Sequence, residues 1–134
     1  MESMDVETVG QRMTKNPVTI PADLNLSDAT QRMFDHGIRH LPVIDDGHVV
    51  GVVSERDLAL VKSIPGVKED RVRVVEAMTE HPYMVAPNTP LLEVIDAMCE
   101  RKIGTALVMD EGEIRGIFSV IDGLAALRDR LRAP

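Results

Sequence analysis

The sequence has no tryptophan, one tyrosine and two phenylalanines. Stacked aromatic platforms for single-stranded nucleic acid are therefore all but excluded. Basic residues are outnumbered: 15 Lys and Arg stand against 22 Asp and Glu, a net charge of −7. An acidic chain lacks the positive footprint that attracts phosphate backbones or anionic membranes, so nucleic acid is a poor partner. With one cysteine, Cys99, neither an internal disulfide nor a multi-cysteine zinc site can form. No run approaches the roughly 18 apolar residues of a membrane span, so no direct membrane insertion is expected. The first eight residues carry three acids and no basic stretch, unlike a secretory signal, and the expected compartment is the cytoplasm.

What is present is a chain of 134 residues, 44% hydrophobic and 28% charged, the composition of a folded protein. At this length roughly two thirds of the extended-chain surface is buried, which predicts one shared core rather than two independent ones.

The chain repeats itself. Met13-Thr14-Lys15-Asn16-Pro17 returns as Met78-Thr79-Glu80-His81-Pro82, an offset of 65. The same offset maps Leu26, Met33, Ile38, Val43, Asp45, Gly47, Gly51, Ser54 and Asp57 onto identical residues. That makes 12 identities over positions 13 to 57 without a gap, where chance gives about two or three. Two copies are too few for a solenoid and suit a pair closed on itself. The division expected is a tail over 1–8, a repeat over 9–62, a linker over 63–73 and a second repeat over 74–134.

Each copy reads as β-α-β-β-α after a short helical turn ended by Pro17 or Pro82. The extended stretches are Val18-Thr19-Ile20 and Tyr83-Met84-Val85. In the first helix Asn25 and Asp28 form a capping box and Gly37 stops the chain. Leu26, Ala29, Thr30, Met33 and Phe34 form its apolar stripe. In the copy, Thr89 caps, Pro90 takes the first helical position, and Leu91, Leu92, Ile95, Met98 and Cys99 form the stripe. Cys99 thus reads as a buried core cysteine. Acidic residues followed by Gly47 and Gly112 mark hairpins. The closing helices run over about 55–62 and 120–131.

The strongest local signal is Gly51-Val52-Val53-Ser54-Glu55-Arg56-Asp57, echoed by Gly116 to Asp122 with Ser119 in place of Ser54. A strand ends at a hydroxyl, and a carboxylate follows three positions later. Ser54 and Ser119 can cap the next helix, with Asp57 and Asp122 in its first turn. The same residues suit a sugar phosphate: a helix N-terminus offers N–H groups to an anion, and a carboxylate accepts from ribose hydroxyls. Capping and binding both remain open at this point. Arg39, His40 and Arg56 add cations in the first copy, where the second has Gly104, Thr105 and Ile121. No catalytic constellation emerges. His36, His40, His48 and His81 show no metal-ligand spacing, and neither a nucleophile elbow nor a phosphate-binding P-loop is present.

These motifs resemble a pair of cystathionine-β-synthase-type domains, a CBS pair or Bateman module, over residues 9 to about 128. The elements that carry the resemblance are Met-Thr-x-x-Pro at 13–17 and 78–82, Leu41-Pro42-Val43-Ile44-Asp45, and Gly51 to Leu58. The resemblance implies an α/β (α+β) fold, with two β-α-β-β-α repeats packed sheet to sheet about a pseudo-twofold axis. It implies clefts for AMP, ADP or ATP, with S-adenosylmethionine less favoured, no catalytic cofactor, and no enzymatic activity. The ribose acids it implies are Asp57 and Asp122, and the phosphate-side hydroxyls are Ser54 and Ser119. Basic residues ahead of the hairpin match Arg39 and His40, followed by Pro42. Val18, Ile20, Tyr83 and Val85 would flank the base. Such modules regulate other proteins. The expectation here is action in trans on a partner that the sequence does not identify. A homodimer is also implied, formed through Leu58, Leu60, Val61 and Ile64 with Ile121, Leu124, Ala125 and Leu127.

Overall fold

The computed structural model describes residues 6–134, so the first five residues of the expected tail lie outside the described residues. After a 3-10 turn at Val9–Gln11 come β1 (Thr14–Lys15), β2 (Ile20–Pro21), α1 (Leu26–His36), β3 (His40–Asp45), β4 (His48–Ser54) and α2 (Glu55–Lys62). The second half follows with α3 (Val74–Ala77), β5 (Thr79–Glu80), β6 (Met84–Val85), α4 (Leu91–Arg101), β7 (Thr105–Asp110), β8 (Glu113–Ser119) and α5 (Val120–Arg132). The fold is α+β, built of two repeated modules.

Each module has a four-stranded sheet, in the orders β2-β3-β4-β5 and β1-β8-β7-β6. β2 runs parallel to β3 and β6 parallel to β7, and the other pairings are antiparallel. The hairpins turn on two residues, Asp46-Gly47 and Glu111-Gly112, all with positive φ. That is the geometry whose twist matches the flanking strands.

The two-residue strands β1 and β5 were not read from the sequence, and they divide the chain differently from the repeat. One compact unit is Val18–Pro82, and the other joins Tyr83–Pro134 to the residues up to Pro17. Thr79 and Glu80, at the head of the second copy, pair with Val52 and Gly51 of the first. Thr14 and Lys15 pair with Ile117 and Gly116. The glycines explain why. A Cβ at Gly51 would stand 2.6 Å from the Thr79 carbonyl oxygen and 2.7 Å from Met78 Sδ. At Gly116 the same space belongs to Met13 and Thr14. The repeated Met-Thr and the repeated Gly are therefore two halves of one close backbone approach, which only glycine permits.

Most buried apolar residues fall into two clusters, one per unit, while Val52 and Leu107 are buried outside both. The Val18–Pro82 cluster holds Ile20, Leu26, Ala29, Met33, Leu41, Val43, Val53, Leu58 and Val74. The other holds Val9, Leu91, Val94, Met98, Ala106, Val108, Phe118 and Ala126. Each fully buried Leu or Val contributes about 1.5–3 kcal/mol relative to exposure. The helix stripes are narrower than the sequence suggests. Phe34 is 81% exposed and Leu92 69%, and Cys99 is exposed rather than buried. Leu26, Ala29 and Met33 keep the inward face of α1, as Leu91, Val94 and Met98 do in α4. Asn25 and Asp28 do form the capping box, and Gly37 closes α1 with φ 63°. In α4 the cap is Pro90 rather than Thr89, whose hydroxyl instead accepts from the Ala86 N–H.

Segment 63–73 is docked rather than free. The Leu26 N–H donates to the Val72 carbonyl and the Val74 N–H to the Leu24 carbonyl. Lys62 Nζ lies 2.9 Å from Thr30 Oγ1 and 3.5 Å from Glu69. Residues 18–82 therefore contain a full unit, whereas 1–66 omits β5 and the fully buried Val74. In urea followed by circular dichroism, fragment 18–82 should unfold cooperatively and fragment 1–66 should not. A cooperative transition in 1–66 would contradict this division.

Candidate functional site

In the Val18–Pro82 unit, β4 runs directly into α2, and Ser54 is the residue at the join. The Ser54 N–H donates to Asp57 Oδ2 at 2.9 Å, and the Asp57 N–H donates to Ser54 Oγ at 3.0 Å. This capping box fixes the Asp57 carboxylate at the strand end. The Glu55 N–H donates to the Arg39 carbonyl at 2.8 Å. Two of the first three amide donors of α2 are thereby used inside the protein. Among the described residues, the Arg56 N–H is the one without a partner. The backbone anion site expected at this helix start is thus mostly satisfied already, and recognition of a phosphate falls to side chains.

The side chains expected for that role are those of His40, Arg39 and Arg56. His40 opens β3 and sits opposite Ser54 in the hairpin register. It is half-buried, with Arg39 exposed on one side in sequence and Arg56 exposed on α2. Among the described residues neither arginine is in an ion pair. Burial pushes the His40 imidazole below its ordinary value. The Asp57 charge opposes that shift, Arg39 adds to it and Glu55 opposes it. Asp57 keeps its second oxygen, Oδ1, free of partners among the described residues.

The other unit repeats the frame with different chemistry. The Ser119 N–H donates to Asp122 Oδ2 at 2.8 Å, and Ser119 Oγ lies 3.2 Å from the same oxygen. The Val120 N–H donates to the Gly104 carbonyl, as Glu55 does to Arg39. Here, however, Thr14 Oγ1 donates to Asp122 Oδ1 at 3.0 Å, so both carboxylate oxygens are engaged. Thr105 is buried where His40 is half-buried, and Ile121 is exposed where Arg56 stands. No cation replaces them. Sequence reasoning did not single out Thr14 as a site residue. Its signal was the second position of Met-Thr-x-x-Pro.

The remaining expected residues are more dispersed. Ile20 is fully buried in the core cluster, and Pro42 is also fully buried. Val18 and Val85 are half-buried and pack partly against the cores. Tyr83 carries the Arg101 guanidinium over its ring, 4.8 Å from the centroid. Among the described residues no group of three His, Cys, Asp or Glu is placed to hold a metal ion. Among the described residues no helix is long and apolar enough to cross a membrane.

The CBS domain family model matches twice, over residues 6–63 and 72–129. A CBS domain-containing protein of Dictyostelium discoideum is 30% identical over 130 residues, spanning 89% of this chain and 90% of that protein. A homoserine O-acetyltransferase of Methanosalsum zhilinae is 34% identical over 76 residues, which span 56% of this chain and only 15% of that enzyme. Among solved structures, an uncharacterized conserved protein of Pyrococcus horikoshii superposes with a TM-score of 0.82 at 32% identity over the full length of both chains. CBSX2 in complex with AMP superposes with a TM-score of 0.80 at 28% identity, over 93% of this chain and 98% of that one. With both halves matched and the glycine, serine and aspartate frame present in each, the chain belongs to the CBS-domain family and carries the domain twice.

Proposed function

We propose that the protein is a non-catalytic regulatory module that binds an adenine nucleotide and acts on a partner in trans. The observation that carries this reading is the site of the Val18–Pro82 unit. There Asp57, with one oxygen unpartnered among the described residues, stands in the first turn of α2 just after Arg56, the Arg39 carbonyl accepts from the Glu55 N–H at that helix start, and His40 faces Ser54 across the hairpin. A carboxylate with a free oxygen suits ribose hydroxyls, and clustered cations suit phosphates through charge-assisted bonds. A relative of the same fold at 28% identity is described in complex with AMP, which supports the ligand class. AMP, ADP and ATP fit the cation cluster. S-adenosylmethionine, itself carrying a sulfonium cation, fits it less well. The Asp122 site, with three hydroxyls and no cation, suits an uncharged adenosine moiety better than a polyphosphate.

Isothermal titration with AMP, ADP, ATP, S-adenosylmethionine and adenosine tests the reading. Asp57→Ala removes the ribose acceptor. At about 1 kcal/mol for each of two bonds, affinity should fall at least about tenfold, with helix content checked because the cap is also lost. Arg39→Ala should weaken ADP and ATP more than adenosine, since only phosphate meets that charge. No binding by any of these ligands up to millimolar, in folded protein, would leave an interaction or dimerisation module as the better reading.

The same reading includes a homodimer. Leu58, expected on the dimer face, is buried in its own unit's core, and Val61 is half-buried. Leu60 and Ile64 are more than half exposed. The last helix exposes Val120, Ile121, Leu124, Leu127 and Leu131 at helical spacing, a stripe that water does not favour. Sedimentation at low micromolar concentration should give about twice the 14.8 kDa chain mass. Leu124→Glu with Leu127→Glu should return it to a monomer. A wild-type monomer under those conditions would refute the dimer.

A further inference from the structure

We infer that nucleotide binding at the Asp57 site is coupled to proton uptake by His40, so that this unit reads ligand charge and pH together. The inference rests on the reading of that site as an adenine-nucleotide site and adds a regulation to it. His40 is held by the fold at a fixed place: it opens β3 and faces Ser54, the residue that caps α2. The charged groups acting on it are Asp57 and Glu55 from α2 and Arg39, the residue before β3, two acids against one base. β4 places Ser54 opposite it.

In the free protein, burial outweighs the two carboxylates and holds the imidazole's proton affinity below its ordinary value. The amide donors at the start of α2 are largely consumed by Ser54 and Arg39, so an incoming phosphate draws its positive partners from Arg39, Arg56 and His40. A phosphate brings negative charge beside the ring and raises its proton affinity. The sign follows by linkage. A group whose pKa rises on binding takes up a proton, and binding strengthens as pH falls from above the bound midpoint to below the free one. Each unit by which phosphate raises the midpoint is worth about tenfold in affinity. The equivalent position in the other unit is Thr105, which cannot titrate, so the effect belongs to one unit alone.

Two measurements on the full chain test this. The first follows the histidine side-chain resonances by NMR over pH 5 to 8.5, with His40 assigned by its loss in His40→Thr. In the free protein its midpoint should lie below the ordinary histidine value of 6.5. ADP should move it upward, and adenosine should not. The second is isothermal titration of ADP at pH 7 in buffers of low and high ionisation enthalpy. Wild type should take up a fraction of a proton more than His40→Thr and His40→Gln do, a difference that cancels the titration of ADP itself. ADP affinity should fall about three- to tenfold from pH 6 to 8 beyond the change in either variant. ADP binding with an unmoved His40 midpoint, or with equal proton uptake in wild type and variants, overturns the coupling and leaves the nucleotide site standing. No ADP binding at any of these pH values overturns both.

Discussion

The reciprocal bond between a serine at a strand end and an aspartate three residues on is the contact on which the candidate sites depend. Ser54 with Asp57, and Ser119 with Asp122, each start a helix and aim a carboxylate at once. The cap satisfies amide groups that would otherwise be left bare at the helix start. The same bonds leave little backbone to greet an anion. A site built on this frame is therefore defined by the side chains around it, and those differ between the two copies.

That difference turns one fold into two chemistries. The Val18–Pro82 unit has Arg39, His40 and Arg56 at the positions that follow its frame, and Asp57 keeps Oδ1 free of partners among the described residues. The Asp122 site has Thr14, Ser119 and Thr105, and Thr14 closes the oxygen that Asp57 leaves open. A duplicated frame tolerates such divergence because the frame itself rests on the caps and glycines, not on the residues that face a ligand. Gly51 and Gly116 are held in both copies by a steric demand, since the Met-Thr segment lies where any Cβ would be. Arg39 and His40 meet no such demand and are replaced by Gly104 and Thr105.

The pairing of β5 with β4 also gives the linker a purpose beyond connection. Segment 63–73 returns along the start of α1 and delivers Val74 into the core of its unit. The Val18–Pro82 unit is thus one unbroken stretch of chain, while the other is closed by residues from both ends. In the latter, Arg12 ties the N-terminal segment to α5 through Asp129 at 2.7 Å and also bonds Glu7. The exposed ion pair itself adds little stability. The buried Val9 contributes more to holding that segment in place.

The sequence by itself determined what depends on neighbours within about four residues. The capping boxes at Asn25, Ser54 and Ser119, the left-handed stop at Gly37 and the two-residue hairpin turns are local in that sense, and the 65-residue offset doubled the serine caps and the hairpin turns. It also placed the cations in one copy and not the other. Only the tertiary structure decided what depends on distant partners. Apolar Phe34 and Cys99 lie next to the inward stripe, and a neighbouring element, not periodicity, chooses which edge of a stripe is covered. That Ile20 is wholly enclosed was likewise set by the core it fills. The pairing of β1 with β8 and of β5 with β4 lay beyond local pattern, because two extended residues carry no information about a partner a hundred or thirty positions away. The same holds for Thr14, whose bond to Asp122 spans 108 positions.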